Sequence, residues 1–209
     1  NLSTALARQA GLAIEHARLF AHSQEDAEEL AALYRASSTL LTSAGDLQEL
    51  ANQIVQVVTG EFDFAYCSIL LLDQELKHLR TLAQRGYVER NGSPIPVDGP
   101  GLTPYAARCG DIVYVPDVSQ DPRYVEVSSR TRSEIVIPLK AADIVIGLLN
   151  LESPEVDAFD ERSRRILTAF ADDAALALQN VRLFNATQIH ARQMALLNEI
   201  THAALLKTD

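Results

Sequence analysis

A sixteen-residue motif occurs twice in this chain, and that repetition constrains its architecture more than any other feature. Residues 5–20 read ALARQAGLAIEHARLF and residues 169–184 read AFADDAALALQNVRLF; aligned without gaps, 164 positions apart, 8 of the 16 positions are identical. The similarity carries on at the same offset: ELAALYRASSTLL (29–41) faces QMALLNEITHAAL (193–205), sharing Ala31 with Ala195 and Leu33 with Leu197. Such a pattern is expected of a slice through a tandem array. Its expected parts are the end of a preceding unit or linker helix over 1–28, a complete domain over 29–185, and a linker helix into the next unit over 186–209.

Both copies read as helix. No proline occurs before Pro94 or after Pro154, and the repeated stretches are rich in Ala, Leu, Gln and Glu. Leu6, Ala10, Ala13, Ala17 and Phe20 follow a 4,3 spacing, as do Phe170, Ala174, Ala177, Val181 and Phe184. Spacing of this kind predicts a coiled seam between two copies of the chain, with Leu6, Ala13, Phe20, Phe170, Ala177 and Phe184 along it. The alternative is a helix whose apolar positions all pack on its own domain. Leu12 with Leu19, and Leu176 with Leu183, mark a second face suited to covering a sheet. The seam is weak, because alanine buries little area at roughly 25 cal/mol per Å², and Gln24, Gln188, Asn198 and His202 insert polar groups that fix register at a cost in stability.

Composition narrows the function. The chain has 209 residues, 47% of them hydrophobic, which suffices for a core. A formal charge of −10 repels phosphate backbones, so no nucleic-acid partner is expected. No apolar run reaches the roughly 18 residues of a membrane span, so no membrane insertion is expected. The only cysteines, Cys67 and Cys109, cannot make a disulfide framework, and a cytoplasmic setting is the expectation.

Between the repeats the texture changes. Asp46 is a good N-cap with Glu49 at the capping-box position, and Gly60 stands where a residue just past the helix end belongs. AYCSILLLD (65–73) and KHLRTLAQ (77–84) read as paired strands, followed by a loop from Arg85 to Pro100. A short helix over 103–110 ends on Gly110, and DIVYVPDV is a short strand. Gln120 to Arg132 has no hydrophobic period and reads as a functional loop or lid. SEIVIPLK (133–140) and DIVIGLLNLES (143–153) form a hairpin around Ala141 and Ala142, and Asp160 caps the last helix. This order predicts an α+β fold, an antiparallel sheet with helices on one side.

The segments GPGLTPYAARCGDIVYVPDVSQDPRY, RSEIVIPLKAADIVIGLLNLESPEVDAFDERSRRIL and FADDAALALQNVRLF resemble a GAF domain of bacterial signalling proteins. The resemblance covers about residues 30–185. It implies a PAS-like central antiparallel sheet of about five to six strands, with N- and C-terminal helices on one face. On the other face it implies a pocket roofed by the short helix and the loop after VPDV. It also implies a tandem array upstream of a histidine kinase, cyclase or transcriptional output domain in a two-component-type protein.

Sharper chemistries find little support in the residues. His78 is the one histidine inside the sheet region, too few ligands for a zinc site with Cys67 and Cys109, and no C-x-x-C pair is present. Bilin-binding GAF domains attach their chromophore to a cysteine in the pocket roof, where VSQDPRYVEVSSRTRS has none. The two cysteines do not reproduce the cysteine cluster with which one variant of the fold reduces free methionine sulfoxide. The N-K-x-F-D-E motif of cyclic-nucleotide-binding GAF domains is missing, as are Gly-x-Ser-x-Gly and Gly-x-x-x-x-Gly-Lys. No cofactor and no catalytic group are expected.

What remains is recognition. By the resemblance, Tyr105, Asp117, Arg123, Tyr124, Arg130, Arg132 and Ser133 lie near the family's ligand, an unidentified small molecule here. Arg123 and Arg132 can fork onto a carboxylate or phosphate, and Asp117 can accept from an amine or hydroxyl. Alternatively, Asp117 caps the turn that follows it and Arg123 pairs with Asp117 or Asp121. The expected protein is a non-enzymatic sensory domain, homodimeric through its terminal helices, beside neighbouring GAF or output domains. A ligand-free scaffold for dimerisation and spacing, and a thiol redox sensor at Cys109, are the other readings.

Overall fold

The computed structural model describes residues 46–61, 64–73, 75, 77–87, 93–126 and 128–205, with side chains to residue 196 in the last helix. The first repeat copy, with the expected seam residues Leu6, Ala13 and Phe20, lies outside the described residues.

The first described helix, α1 (Leu47–Glu61), starts where its cap predicts: Asp46 Oδ1 accepts from the backbone N–H of Gln48 at 2.8 Å and of Glu49 at 3.4 Å. It does not stop before Gly60 but runs through it to Glu61. Gly60 is exposed with nothing within 4 Å of where a Cβ would stand, so no neighbour forces the chain out of the helix there.

Six strands follow: β1 (Tyr66–Asp73), β2 (His78–Arg85), β3 (Ile95–Pro96), β4 (Val113–Val115), β5 (Ser133–Ala141) and β6 (Ile144–Ser153). They form one sheet in the order β3-β2-β1-β6-β5-β4, every described pair antiparallel. The fold is α+β. Strand β3 falls inside the stretch expected as loop; it is two residues long at a sheet edge, where a proline costs no ladder bond. The β5–β6 turn sits one residue later than expected, at Ala142 and Asp143, both at positive φ (48° and 64°), as a two-residue hairpin requires. A register shift between Leu139 and Lys140 gives β6 the extra residue.

Side-chain alternation divides the sheet into two faces. Cys67, Ile69, Ile135, Ile137, Leu149 and Leu151 meet Leu50, Ile54 and Val58 of α1, together with the long α3 (Glu161–Leu205). Leu70, Leu79, Val136 and Leu148 meet the short α2 (Leu102–Cys109), β4 and Val118 on the other face. Helix α2 ends on Gly110 in the left-handed conformation, as its sequence predicts. Helix α3 is capped by Asp160, whose Oδ1 accepts from the Ser163 N–H at 2.7 Å; hydrogen bonding by Ser163, its side chain first and then its backbone, holds the carboxyl below its usual range.

The face that α3 uses corrects the seam expectation. Phe170 is fully buried in its own domain with Ala174, Leu178 and Val181, and Ala177 is half-buried against the same cluster. A side chain with no accessible surface contributes nothing to a partner, so Phe170 is removed from the seam. Leu176 and Leu183, expected to cover the sheet, are 61% and 56% exposed. The reason is steric: Ala171, Ala174 and Ala175 let the helix approach the branched residues of the strands, and Phe170 fills the space between. Beyond Val181 the helix leaves the sheet, and Phe184, Ile189, Met194 and Leu196 are all exposed. Among the described residues no helix is long and apolar enough to cross a membrane.

Candidate functional site

On the face away from α1 and α3, a cavity of about 190 Å³ opens between the sheet and its cover. One wall is the segment from Ile95 to Pro100, which Arg108 of α2 ties down by donating to the carbonyls of Val97 and Gly99. Another is the start of α2, where Gly101, Leu102 and Thr103 line the space. Gly101 sits at φ 114°, closed to side chains, and caps α2 without a side-chain hydrogen bond. The opposite wall is the loop residues Tyr124 and Val125.

The floor is polar. Glu134 of β5 and Asn150 and Glu152 of β6 line the cavity, and each is almost wholly buried. Register explains their grouping: Glu152 pairs with Glu134 on one side and Tyr66 on the other, and Asn150 sits two residues along the same face. Glu152 accepts three hydrogen bonds, from Thr131 Oγ1 at 2.5 Å, Tyr87 Oη at 3.1 Å and Asn150 Nδ2 at 3.2 Å. Burial first, and then the Glu152 carboxylate, push the Tyr87 hydroxyl well above its ordinary range and keep it a donor. The Oδ1 of Asn150 is buried with no hydrogen-bond partner.

The residues expected at the ligand mostly serve the cover itself. Asp117 caps the 3₁₀ turn Val118–Gln120: its carboxylate accepts from Ser119 N at 3.1 Å and Ser119 Oγ at 2.7 Å, which lowers its pKa. Arg132 stands 3.9 Å from Asp117, half exposed, while its backbone bridges Val118 and Ser153. Arg123 grips Asp121 through two nitrogens, at 2.9 and 2.5 Å, and lies 4.6 Å over the Tyr105 ring, linking the loop to α2. Arg130 is exposed. Ser133 points its Oγ to the Glu155 carbonyl at 2.7 Å. Of the seven, Tyr124 alone lines the cavity.

Glu134, Asn150 and Glu152 were absent from the expected site. Their signal was present: ionisable or amide side chains at pocket-face positions of strands that are otherwise apolar, where burial is costly without a purpose.

The cysteines do not meet. Cys67 is fully buried on the helix face, and that burial drives its thiol far up. Cys109 is exposed at the end of α2, on the other face of the sheet. A disulfide needs Cα atoms within about 7 Å, which the intervening sheet prevents. Among the described residues no group of three or more His, Cys, Asp or Glu is placed to hold a metal ion.

Comparison with known proteins agrees with this geometry. A family model described as GAF domain matches residues 44–179. Protein YtsP of Bacillus subtilis is 31% identical over 80 residues, 38% of this chain and 49% of that protein. The GAF domain-containing protein A of Dictyostelium discoideum is 28% identical over 59% of this chain and 77% of its own length. The chain thus spans about half of YtsP. Among solved structures, a free methionine-R-sulfoxide reductase from Neisseria meningitidis, in complex with its substrate, superposes with a TM-score of 0.68 at 25% identity, covering 76% of this chain and 93% of that one. The GAF domain of an Acinetobacter phosphoenolpyruvate-protein phosphotransferase gives 0.68 at 18% identity, covering 76% and 98%.

Proposed function

The chain belongs to the GAF domain family, whose members serve regulatory and sensory roles in signalling proteins, and we propose that this one binds a small molecule in the cavity above β5 and β6. The observation that carries this reading is the buried polar floor under a cover stitched together by its own ion pairs. Strands β5 and β6 have the cavity on one face and pack against α3 on the other. A ligand that prefers one arrangement of the cover biases those strands and hence the helix. The bias is limited by differential affinity, about 1.4 kcal/mol for a tenfold preference.

Helix α3 is the output. Its exposed apolar residues beyond Val181, Phe184 foremost, support pairing with a second copy of the chain, and the repeat supports neighbouring GAF or output domains in a cytoplasmic two-component-type protein. The domain itself is read as non-enzymatic, with any kinase or cyclase activity lying elsewhere. Some neighbours of this fold are named as reductases of free methionine sulfoxide. Reductive chemistry of that kind has no paired thiols here, since Cys67 is inert in the core and Cys109 faces solvent alone.

Native mass spectrometry of the domain purified under mild conditions tests the reading. A retained small molecule, or saturable binding of an added metabolite, is the expected result. The second reading, a ligand-free scaffold, is favoured by the self-contained bonding of the cover, Asp117 with Ser119 and Arg123 with Asp121. Silence of the cavity toward every metabolite offered would establish it.

A further inference from the structure

We infer that the segment leading from β6 into α3, residues 153–160, is a latch that couples the loop of the cavity's cover to the start of α3, with Tyr114 and Asp157 as its positioning residues. This rests on the reading of the cavity as a ligand site and names the route by which its cover reaches the helix. The loop leaves the sheet after β4 and rejoins it at β5, and the connecting segment is hydrogen-bonded at both of those ends. At the entry, the Asp157 N–H donates to the Pro116 carbonyl at 2.8 Å. At the exit, the Arg132 N–H donates to the Ser153 carbonyl at 2.8 Å, and Ser133 Oγ donates to the Glu155 carbonyl at 2.7 Å. The two ends are also joined to each other, since the Val118 N–H donates to the Arg132 carbonyl at 2.9 Å. A displacement of the loop therefore acts on Ser153, Glu155 and Asp157 directly, without passing through the sheet.

Tyr114 extends this backbone joint to the helix. Val113 and Val115 of β4 point to the cavity face, so alternation sends Tyr114 to the side of α3. Its ring meets Phe159 edge-on, with centroids 6.0 Å apart, and the Arg164 guanidinium lies 4.8 Å over it. Arg164, in the first turn of α3, also donates to the Phe159 carbonyl at 2.9 Å. Tyr114 Oη donates to Asp157 Oδ1 at 2.5 Å, the length of a bond to an ionised acceptor. Partial burial first, and then that carboxylate, push the hydroxyl up to about 12, so it stays a donor at neutral pH. Asp157 sits at φ 54°, a left-handed backbone that aspartate and asparagine adopt more readily than most side chains. One ring thus holds the entry to the loop, the turn at Asp157 and the first turn of α3 in a single cluster.

Hydrogen exchange of the whole chain tests the latch without a ligand. Asp117→Ala removes the cap of the 3₁₀ turn and so loosens the loop. It is expected to speed amide exchange about fivefold in residues 118–132 and also in residues 164–170 of α3. Strand β2, far across the sheet from β4, is expected to stay unchanged and measures global opening. In a Tyr114→Phe background the loop is expected to loosen as before, while residues 164–170 respond less than about twofold. Asp157→Gly adopts the positive φ and lacks the acceptor. It is expected to act like Tyr114→Phe, so that the test survives if one variant misfolds. Asp157→Asn keeps an acceptor oxygen and the same backbone, and is expected to restore the full response. A role in stability alone would leave the response of 164–170 equal in every background. That equality, or no response of 164–170 to Asp117→Ala in the otherwise unaltered chain, overturns the latch. A cavity that binds nothing in native mass spectrometry overturns the ligand reading instead, since no step of the exchange experiment depends on a ligand.

Discussion

The two faces of the sheet are built from the same strands to opposite ends. Toward α1 and α3, β1, β5 and β6 send cysteine, isoleucine and leucine, all close to full burial, into a continuous apolar cluster around Phe170 and Phe159. Toward α2 they send Leu70, Val136 and Leu148 near one end, then Glu134, Asn150 and Glu152 near the other. An apolar row of the helix-face kind would have served equally well for folding. The difference shows where stability comes from and where part of it is given up: the helix face holds the domain together, and the cavity face keeps polar side chains buried at a cost in stability.

Substitution of Phe170 by Ala makes the largest break in the comparison. It is expected to cost about 3–5 kcal/mol in urea denaturation, since a fully buried aromatic leaves a cavity that the packed alanines cannot fill. A cost under about 1 kcal/mol would mean that the helix face is not the principal core. Next in size is the cap of the helix that covers this face. Asp160→Ala is expected to cost about 1 kcal/mol near neutral pH. The Asp160 carboxyl is held low by Ser163, so its contribution is fully present above the unfolded value near 3.9 and is lost as pH falls through the lower folded value. The difference between wild type and variant, followed by denaturation, therefore shrinks below about pH 4. The smallest effect on folding is expected from Phe184→Glu, within about 0.5 kcal/mol, because that ring is 55% exposed. If the proposed helix pairing holds, its effect is expected instead in analytical ultracentrifugation, as a shift from dimer toward monomer.

Much of this architecture is legible in the residues. Short apolar runs separated by turn-like residues mark β1, β2, β5 and β6 to within a residue or so, and the caps Asp46 and Asp160 mark helix starts that the structure keeps. Such signals are local, and local chemistry decides them. The edge strand β3 escaped notice because two residues carry no period, and only pairing with His78 and Leu79 makes them a strand. The 4,3 spacing of α3 was ambiguous for a related reason: the same stripe fits a partner helix or the helix's own sheet, and only packing of Phe170 against the strands decides. The site was read from its rim. Arginines and aspartates of the loop attract attention as charged groups, yet Asp117, Asp121 and Arg123 are satisfied by one another or by neighbouring Ser119 and Tyr105. The floor residues were hidden among apolar neighbours, where a period-two parity count places Glu134 beside Val136 and Glu152 beside Asn150.

Hydrogen exchange, with and without a saturating concentration of a metabolite that native mass spectrometry shows to bind, follows both faces at once. Slower exchange is predicted in residues 118–132, in β5 and β6, and also along α3 between Leu167 and Val181, on the far side of the sheet from the ligand. Slowing confined to 118–132, with the backbone of α3 unchanged, would contradict the relay and leave a pocket that binds without informing the helix.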